Sequence, residues 1–238
     1  MICRTLTPRV LQWLGNGRPA RILNLFDEVC NLADDEGNAI SLVSATVGPG
    51  PFSMVVDDNF TRGINARSPV AIDSAARALT LGPHRITTDH ALIWNPVPDW
   101  QALKADGSLN LANPPLLDGE IAQHLMQLLQ GIKNGSIAEC RSAAYHLAGL
   151  GNGLTPAGDD VLMGVLYGLR VWYPQEEWMR LIAQTAVPRT TTLSAAFLQA
   201  AAEGEATIHW HDLANGQADA LNQILAVGST SGRDAWAG

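Results

Sequence analysis

From Arg21 to about Trp94 the chain runs in short apolar stretches separated by turn residues: Ile22-Leu-Asn-Leu-Phe26, Ala39-Ile-Ser-Leu-Val43, Phe52-Ser-Met-Val-Val56 and Ala91-Leu-Ile-Trp94. Runs of this length bounded by breakers predict strands. Asp35-Glu-Gly-Asn38 and Gly48-Pro-Gly-Pro51 fall between them, which predicts hairpins or a small barrel or sandwich. Ala71 to Leu79 is expected to add one short helix to this layer.

Beyond Trp94 the texture changes. Residues Asn95 to Pro115, with prolines at 96, 98, 114 and 115, are expected to form a linker. Asp118 can then cap a helix whose Ile121, Leu125, Leu128, Leu129 and Ile132 recur at three- and four-residue intervals. Ser136-Ile-Ala-Glu139 has the form of a capping box and opens a second helix that stops near Gly149. Asp159 to Trp172 is apolar almost all round, so that helix is placed at the centre of its domain, with Pro174 ending it. Further helices are predicted at about Gln175 to Ala186, Thr192 to Glu203 and Gly216 to Val227. The fold class expected is α+β, with a β-rich domain and linker over 1–115 and an α-helical domain over 116–238.

Composition narrows the function classes. With 47% hydrophobic residues the 238-residue chain can bury a core, and a net charge of −8 argues against a nucleic-acid binder, which needs a cationic face. No apolar window reaches membrane-span length and the N-terminus lacks a signal-peptide run, so a cytoplasmic protein is expected. Cys3, Cys30 and Cys140 are odd in number and widely spaced, which fits buried, reduced thiols and no zinc site.

The strongest chemical signal is Gly149-Leu-Gly-Asn-Gly-Leu-Thr-Pro-Ala-Gly-Asp-Asp160. A helix start needs one capping residue, for which Thr155 would serve, with Pro156 in the first turn. This segment adds Gly149, Gly151, Gly153 and Gly158, together with adjacent Asp159 and Asp160, which is more than capping requires. Its free N–H groups, from Asn152 to Leu154, suit a phosphate or carboxylate, and its aspartates suit a divalent cation or a substrate amide. Bare carboxylates would repel an anion, and Arg189, Arg233, a metal ion or a partner subunit would relieve that tension.

The segment has an echo. Residues 155–164 align without gaps on residues 229–238, matching Gly158 with Gly232, Asp160 with Asp234 and Gly164 with Gly238, each pair 74 apart. A repeat of this kind implies two similar helix starts facing each other across one pocket, which adds Ser231, Gly232 and Asp234 to the candidate ligand contacts. It also has the chain stop at Gly238 where the second helix should begin, so that a further C-terminal segment is expected. Arg189-Thr-Thr-Thr-Leu-Ser194 carries more hydroxyls than an N-cap uses and adds Thr191 and Ser194.

The loop motif, Thr-Thr-Leu-Ser with Glu203-Gly204 beyond it, and Thr-Ser-Gly-Arg-Asp near the end together resemble the AllH family. The resemblance covers about residues 20 to 238 and is specific in the second half. It implies a subunit of oxamate carbamoyltransferase in anaerobic allantoin and purine breakdown. It further implies phosphorolysis of oxalurate to oxamate and carbamoyl phosphate, with partner subunits and a downstream carbamate kinase. Under it Asp159, Asp160 and Thr155 are the catalytic candidates, and the ligands are a small carbamoyl or carboxylate metabolite and phosphate.

Two other readings stand beside this one: a non-catalytic metabolite-binding or scaffolding subunit, and a magnesium-dependent hydrolase using the paired aspartates. The residues demand no cofactor, and magnesium is the one they would accommodate. No nucleic-acid or membrane partner is expected. His209-Trp-His211 would put two rings on one side of a strand, but no third ligand is near, so surface histidines are expected. His146 is read as structural, the seven tryptophans as packing residues, and Asp34-Asp-Glu36 as a solvated hairpin tip.

Overall fold

A computed structural model describes residues 1–57, 59–105, 117 and 119–238. The chain divides into two compact units, Met1–Pro96 and Val97–Gly238. The first is strand-rich and the second helical, so the fold is α+β.

In the first unit β1 (Cys3–Leu6), β2 (Ala20–Leu25), β3 (Val29–Asp34), β4 (Ala39–Val43), β5 (Ser53–Val56) and β9 (Leu92–Ile93) make one sheet, ordered β2-β3-β4-β5-β1-β9. β2, β3 and β4 are antiparallel neighbours joined by tight turns, as the breakers at Asp35 to Asn38 require. β5 lies parallel to β4, with Leu42 opposite Met54, so Gly48 to Pro51 belongs to a crossover and not to a hairpin. Helix α1 (Pro8–Asn16) fits its sequence: Pro8 opens it, Gly17 at φ 61° closes it, and Val10, Trp13 and Leu14 form its buried face.

Where one helix is expected over Ala71 to Leu79, the chain forms β6 (Val70–Asp73) and β7 (Ala78–Leu81), an antiparallel pair completed by β8 (His84–Ile86). The Asp73 carboxylate accepts from the Ala76 amide and turns the chain between them, and Leu79 and Leu81 alternate into the core. The acidic hairpin tip also differs from expectation at one residue. Asp34 is buried and accepts from the Glu36 and Asn38 amides, while Asp35 and Glu36 face Arg18.

The helical unit begins earlier than the proline-rich stretch suggests, because Trp100–Ala105 is helix α2. Asp99 accepts from the amides of Gln101 and Ala102, and Trp100 and Leu103, three apart, are both buried. Asp118 and residues 106–116 lie outside the described residues. α3 (Gly119–Asn134) buries Leu125 and Leu128 and leaves Leu129 exposed. α4 (Ile137–Leu147) carries the predicted cap, with the Ser136 hydroxyl accepting from the Glu139 amide.

α5 (Ala157–Trp172) is buried along most of its length and forms the centre of the unit's core with α3, α4, α6 (Glu176–Ala186) and α7 (Thr192–Ala202). A tryptophan and tyrosine group supports it: Trp100 stacks on Tyr167 at 5.1 Å and donates its Nε1–H to Gly204, and Trp210 packs against both Tyr167 and Trp236. His209 to His211 sits in α8 (Ile208–Ala214), not in a strand, so its two rings do not share one side. The helix expected over Gly216 to Val227 is confined to α9 (Ala220–Leu225). α10 (Ser231–Ala237) follows, so the second helix start is already formed at Ser231. Among the described residues no helix is long and apolar enough to cross a membrane.

Candidate functional site

The glycine loop is closed by its own backbone. The Leu150 amide donates to Leu147, the last residue of α4, and the Gly158 amide donates back to Leu150. Gly149 takes φ 73°, and a Cβ there would sit 2.7 Å from the Arg189 carbonyl oxygen, so only glycine fits. Asp159 secures the fold of the loop from within: its carboxylate accepts from the Gly149 amide at 2.9 Å and from the Thr190 hydroxyl. Burial raises its pKa, against which Thr190, Gly149 and Ser194 supply hydrogen bonds. Thr191 donates to the Leu154 carbonyl at 2.6 Å while capping α7 through the Ser194 amide. The hydroxyl-rich segment and the glycine loop are therefore one construction.

Between these braces Gly151, Asn152, Gly153 and Leu154 are exposed. Among the described residues no acceptor meets the N–H groups of Asn152, Gly153 and Leu154. Thr155 does not cap α5. Pro156 occupies that position and its carbonyl accepts from Asp159 and Asp160, which frees the Thr155 hydroxyl to bond Ser231 at 2.9 Å.

That contact joins the two helix starts the sequence repeat pairs, and their backbones match. Ile224 accepts from Val227, and Val227 from Gly232, as Leu147 accepts from Leu150 and Leu150 from Gly158. A Cβ on Gly158 would overlap the Leu147 carbonyl, and one on Gly232 the Ile224 carbonyl. The two starts also meet reciprocally. Gly164 abuts the Ala235 carbonyl and Gly238 the Val161 carbonyl, where Val161 and Ala235 are themselves matched by the repeat. The first copy is the longer by three residues, and the surplus falls in the exposed stretch around Gly151 to Gly153.

Where α5 and α10 meet, a cavity of about 190 Å³ is bounded at one side by Thr155, Asp160 and Ser231 and elsewhere by apolar side chains including Met163, Phe197 and Trp210. Asp160 is 5% exposed, and its Oδ2 has no hydrogen-bond partner. Its pKa is pushed up to about 7, chiefly by burial, with the Ser231 hydroxyl working against the rise and the charges of Asp234 and Asp159 adding to it. Asp234 on α10 likewise has a buried Oδ2 with no partner. A carboxyl so placed is protonated in a large fraction of molecules at neutral pH. The repulsion that two bare aspartates would exert on an anion is correspondingly reduced.

All the loop candidates, with Thr191, Ser194, Ser231, Gly232 and Asp234, are brought into this one region, though in different parts. Gly158 and Gly232 serve helix contacts, Asp159 holds the loop, and Thr155, Asp160 and Ser231 reach the cavity. Arg189 is taken up by Tyr145, donating Nε–H to its carbonyl and lying 3.3 Å above its ring, and Arg233 is exposed. Sequence reasoning did not single out Thr190, nor the apolar wall. Met163 and Tyr167 follow Asp160 at i+3 and i+7, a spacing that marks one helix face and could have found them. His146 stacks on His124 at 4.9 Å, away from the cavity lining. Among the described residues no three His, Cys, Asp or Glu side chains gather to hold a metal ion.

The three cysteines are buried and unpaired, and burial pushes the thiols of Cys3, Cys30 and Cys140 up to about 12, 12 and 11. They are inert packing groups.

No curated protein and no solved structure matches the chain. Two family models do. The AllH family N-terminal domain matches residues 2–93, and the model described as oxamate carbamoyltransferase subunit AllH matches residues 147–238, which contain the glycine loop, Thr191, Ser194 and the second helix start. The chain belongs to the AllH family.

Proposed function

We propose that the protein works as a subunit of a carbamoyltransferase, with other protein subunits as partners, and that the loop and cavity of its helical unit bind the reactants. The reaction read here is oxalurate plus phosphate to oxamate plus carbamoyl phosphate. A phosphate oxygen attacks the ureido carbonyl carbon, the bond from that carbon to the leaving amide nitrogen breaks, and the proton carried by phosphate ends on that nitrogen. Such a displacement needs an anion cradle, stabilisation of the oxygen that gains charge, and a proton carrier.

The exposed amides of Asn152, Gly153 and Leu154 provide the cradle, and the hydroxyls of Thr155 and Ser231 provide donors. Asp160 carries the proton, since a carboxyl that titrates near neutrality can both accept and return one. Asp159, with Thr191 and Ser194, acts through the loop it holds. The observation that carries this reading is the buried Asp160 carboxyl, unpaired at Oδ2, beside an amide-lined loop in a chain of this family. A cytoplasmic place in purine or allantoin breakdown goes with it.

The test is oxalurate formation from oxamate and carbamoyl phosphate by the full chain together with its partner subunits. Asp160→Asn is expected to cut turnover by about 10²-fold or more, in line with loss of a general acid–base group, while the complex still assembles. Full turnover in the assembled variant complex would instead support the scaffolding reading. That reading is favoured by one feature of its own: among the described residues no Lys or Arg lines the cavity.

A further inference from the structure

The cavity between α5 and α10 and the exposed loop are chemically unlike. The loop offers unpartnered N–H groups to an anion. Among the described residues the cavity has no Lys, Arg or His in its lining, and Asp160 is the one charged group there. Apart from the hydroxyls of Thr155, Thr207 and Ser231 and the phenol of Tyr167, which donates to the Glu205 carbonyl, the wall is apolar. An anion placed there would meet a carboxyl, with Asp234 behind it, and lose its hydration without compensation. An ammonium group would gain Asp160 as a partner but pay the desolvation of a buried ion pair. An uncharged group with two N–H donors and a carbonyl pays least. It matches Asp160 in either protonation state, accepting from the acid form and donating to the carboxylate, and it matches the Thr155 and Ser231 hydroxyls, each able to donate or accept.

We infer that this cavity is the pocket for an uncharged primary-amide or ureido head carried on a small apolar body, with Asp160 recognising the head and Met163, Phe197 and Trp210 enclosing the body. Two observations carry it: the half-open, largely apolar space at the crossing of the two helix starts, and the buried Asp160 Oδ2 that has no partner among the described residues. At about 30 Å³ per water-sized group, 190 Å³ holds roughly six such groups, the size of a short amide or alkylurea. With the carbamoyl-transfer reading, on which the biological meaning rests, the head is the ureido end of the substrate. Any carboxylate or phosphate is then left to the amides of Asn152 to Leu154.

Calorimetric titration of the full chain with pentanamide, N-propylurea, pentanoate and pentylamine at pH 8 tests the assignment without turnover. Pentanamide and propylurea are expected to bind saturably and at least tenfold more tightly than pentanoate or pentylamine. Met163→Trp, which fills the pocket with an apolar side chain, is expected to weaken both amides at least tenfold. Asp160→Asn is expected to bring pentanoate binding to within threefold of pentanamide. Absence of amide binding, pentanoate binding equal to pentanamide in the unaltered chain, tighter binding of pentylamine, or amide affinity unchanged in Met163→Trp would each overturn it. Because Met163→Trp and the ligand series stand alone, the test survives an Asp160→Asn chain that does not fold. Amide binding without oxalurate turnover would remove the carbamoyl-transfer reading and leave the pocket; turnover without amide binding would do the reverse.

Discussion

Asp160 holds a proton more firmly in the folded chain than an unfolded aspartate does, because burial takes the carboxylate out of water and leaves one of its oxygens unpaired. A folded pKa raised from 3.8 to about 7 means that the folded state binds more protons across that interval. The resulting stability is fully present below pH 3.8 and is lost as the pH rises through about 7. At 1.36 kcal/mol per pH unit the loss is on the order of 4 kcal/mol. Asn carries no such proton, so the stability of the wild-type chain should fall relative to Asp160→Asn between pH 4 and pH 8, measured as denaturant midpoints. A difference that stays constant with pH would mean that Asp160 is ionised throughout. Asp160 could be picked out as a candidate from sequence, since two adjacent aspartates after a glycine loop exceed what a helix start needs. Their division of labour was not. Asp159 and Asp160 are neighbours in sequence, and only the three-dimensional position of Thr190 and Ser231 gives one a structural bond and the other a cavity.

At the scale of elements the crossing of α5 and α10 depends on glycines whose missing Cβ atoms make room for a carbonyl. Gly164 and Gly168 lie one turn apart on the same helix and separate packing from propensity. A Cβ at Gly164 meets backbone of α10, whereas one at Gly168 meets nothing within 4 Å. Gly164→Ala should therefore cost about 1–3 kcal/mol or more, as overpacking does. Gly168→Ala should stabilise by about 0.5–1 kcal/mol through helix propensity. Thermal unfolding of the two variants decides it, and equal effects would show that the crossing is not tight at Gly164. Helices with a cap or a long apolar stripe, such as α4 and α5, could be read from sequence because the signals are local. α8 could not, being seven residues long with too few turns to show a period, and its His-Trp-His was open to a strand reading. β6 and β7 looked helical because Ser74 to Arg77 interrupts an apolar run with residues that are compatible with a helix and, here, form a turn.

At the scale of the whole molecule, the described residues give each unit a core of its own, around Leu42 in the strand-rich unit and around Leu166 in the helical unit. Both side chains are fully buried. Leu42→Ala and Leu166→Ala should each cost about 2–5 kcal/mol, and amide hydrogen exchange should place the loss of protection in the unit that carries the substitution. Loss spread evenly over both units would mean that the cores act as one. The change from strand to helix was plain in the spacing of apolar positions. The parallel pairing of β4 with β5 was not, because two short apolar runs joined by a Gly-Pro-rich segment look the same whichever way the second run travels.

The pairing of the two helix starts also sets an order of events. Thr155 and Ser231 are 76 residues apart, and Asp160 acquires its hydroxyl neighbour and Asp234 only when that later stretch docks. Contacts so distant in sequence close late, after local helices have formed. A chain emerging from the ribosome would complete α4, the glycine loop and α5 while the cavity still lacked one wall, and would acquire a pocket only when α10 arrived. Affinity for the proposed amide ligand would thus read out completed folding in the helical unit.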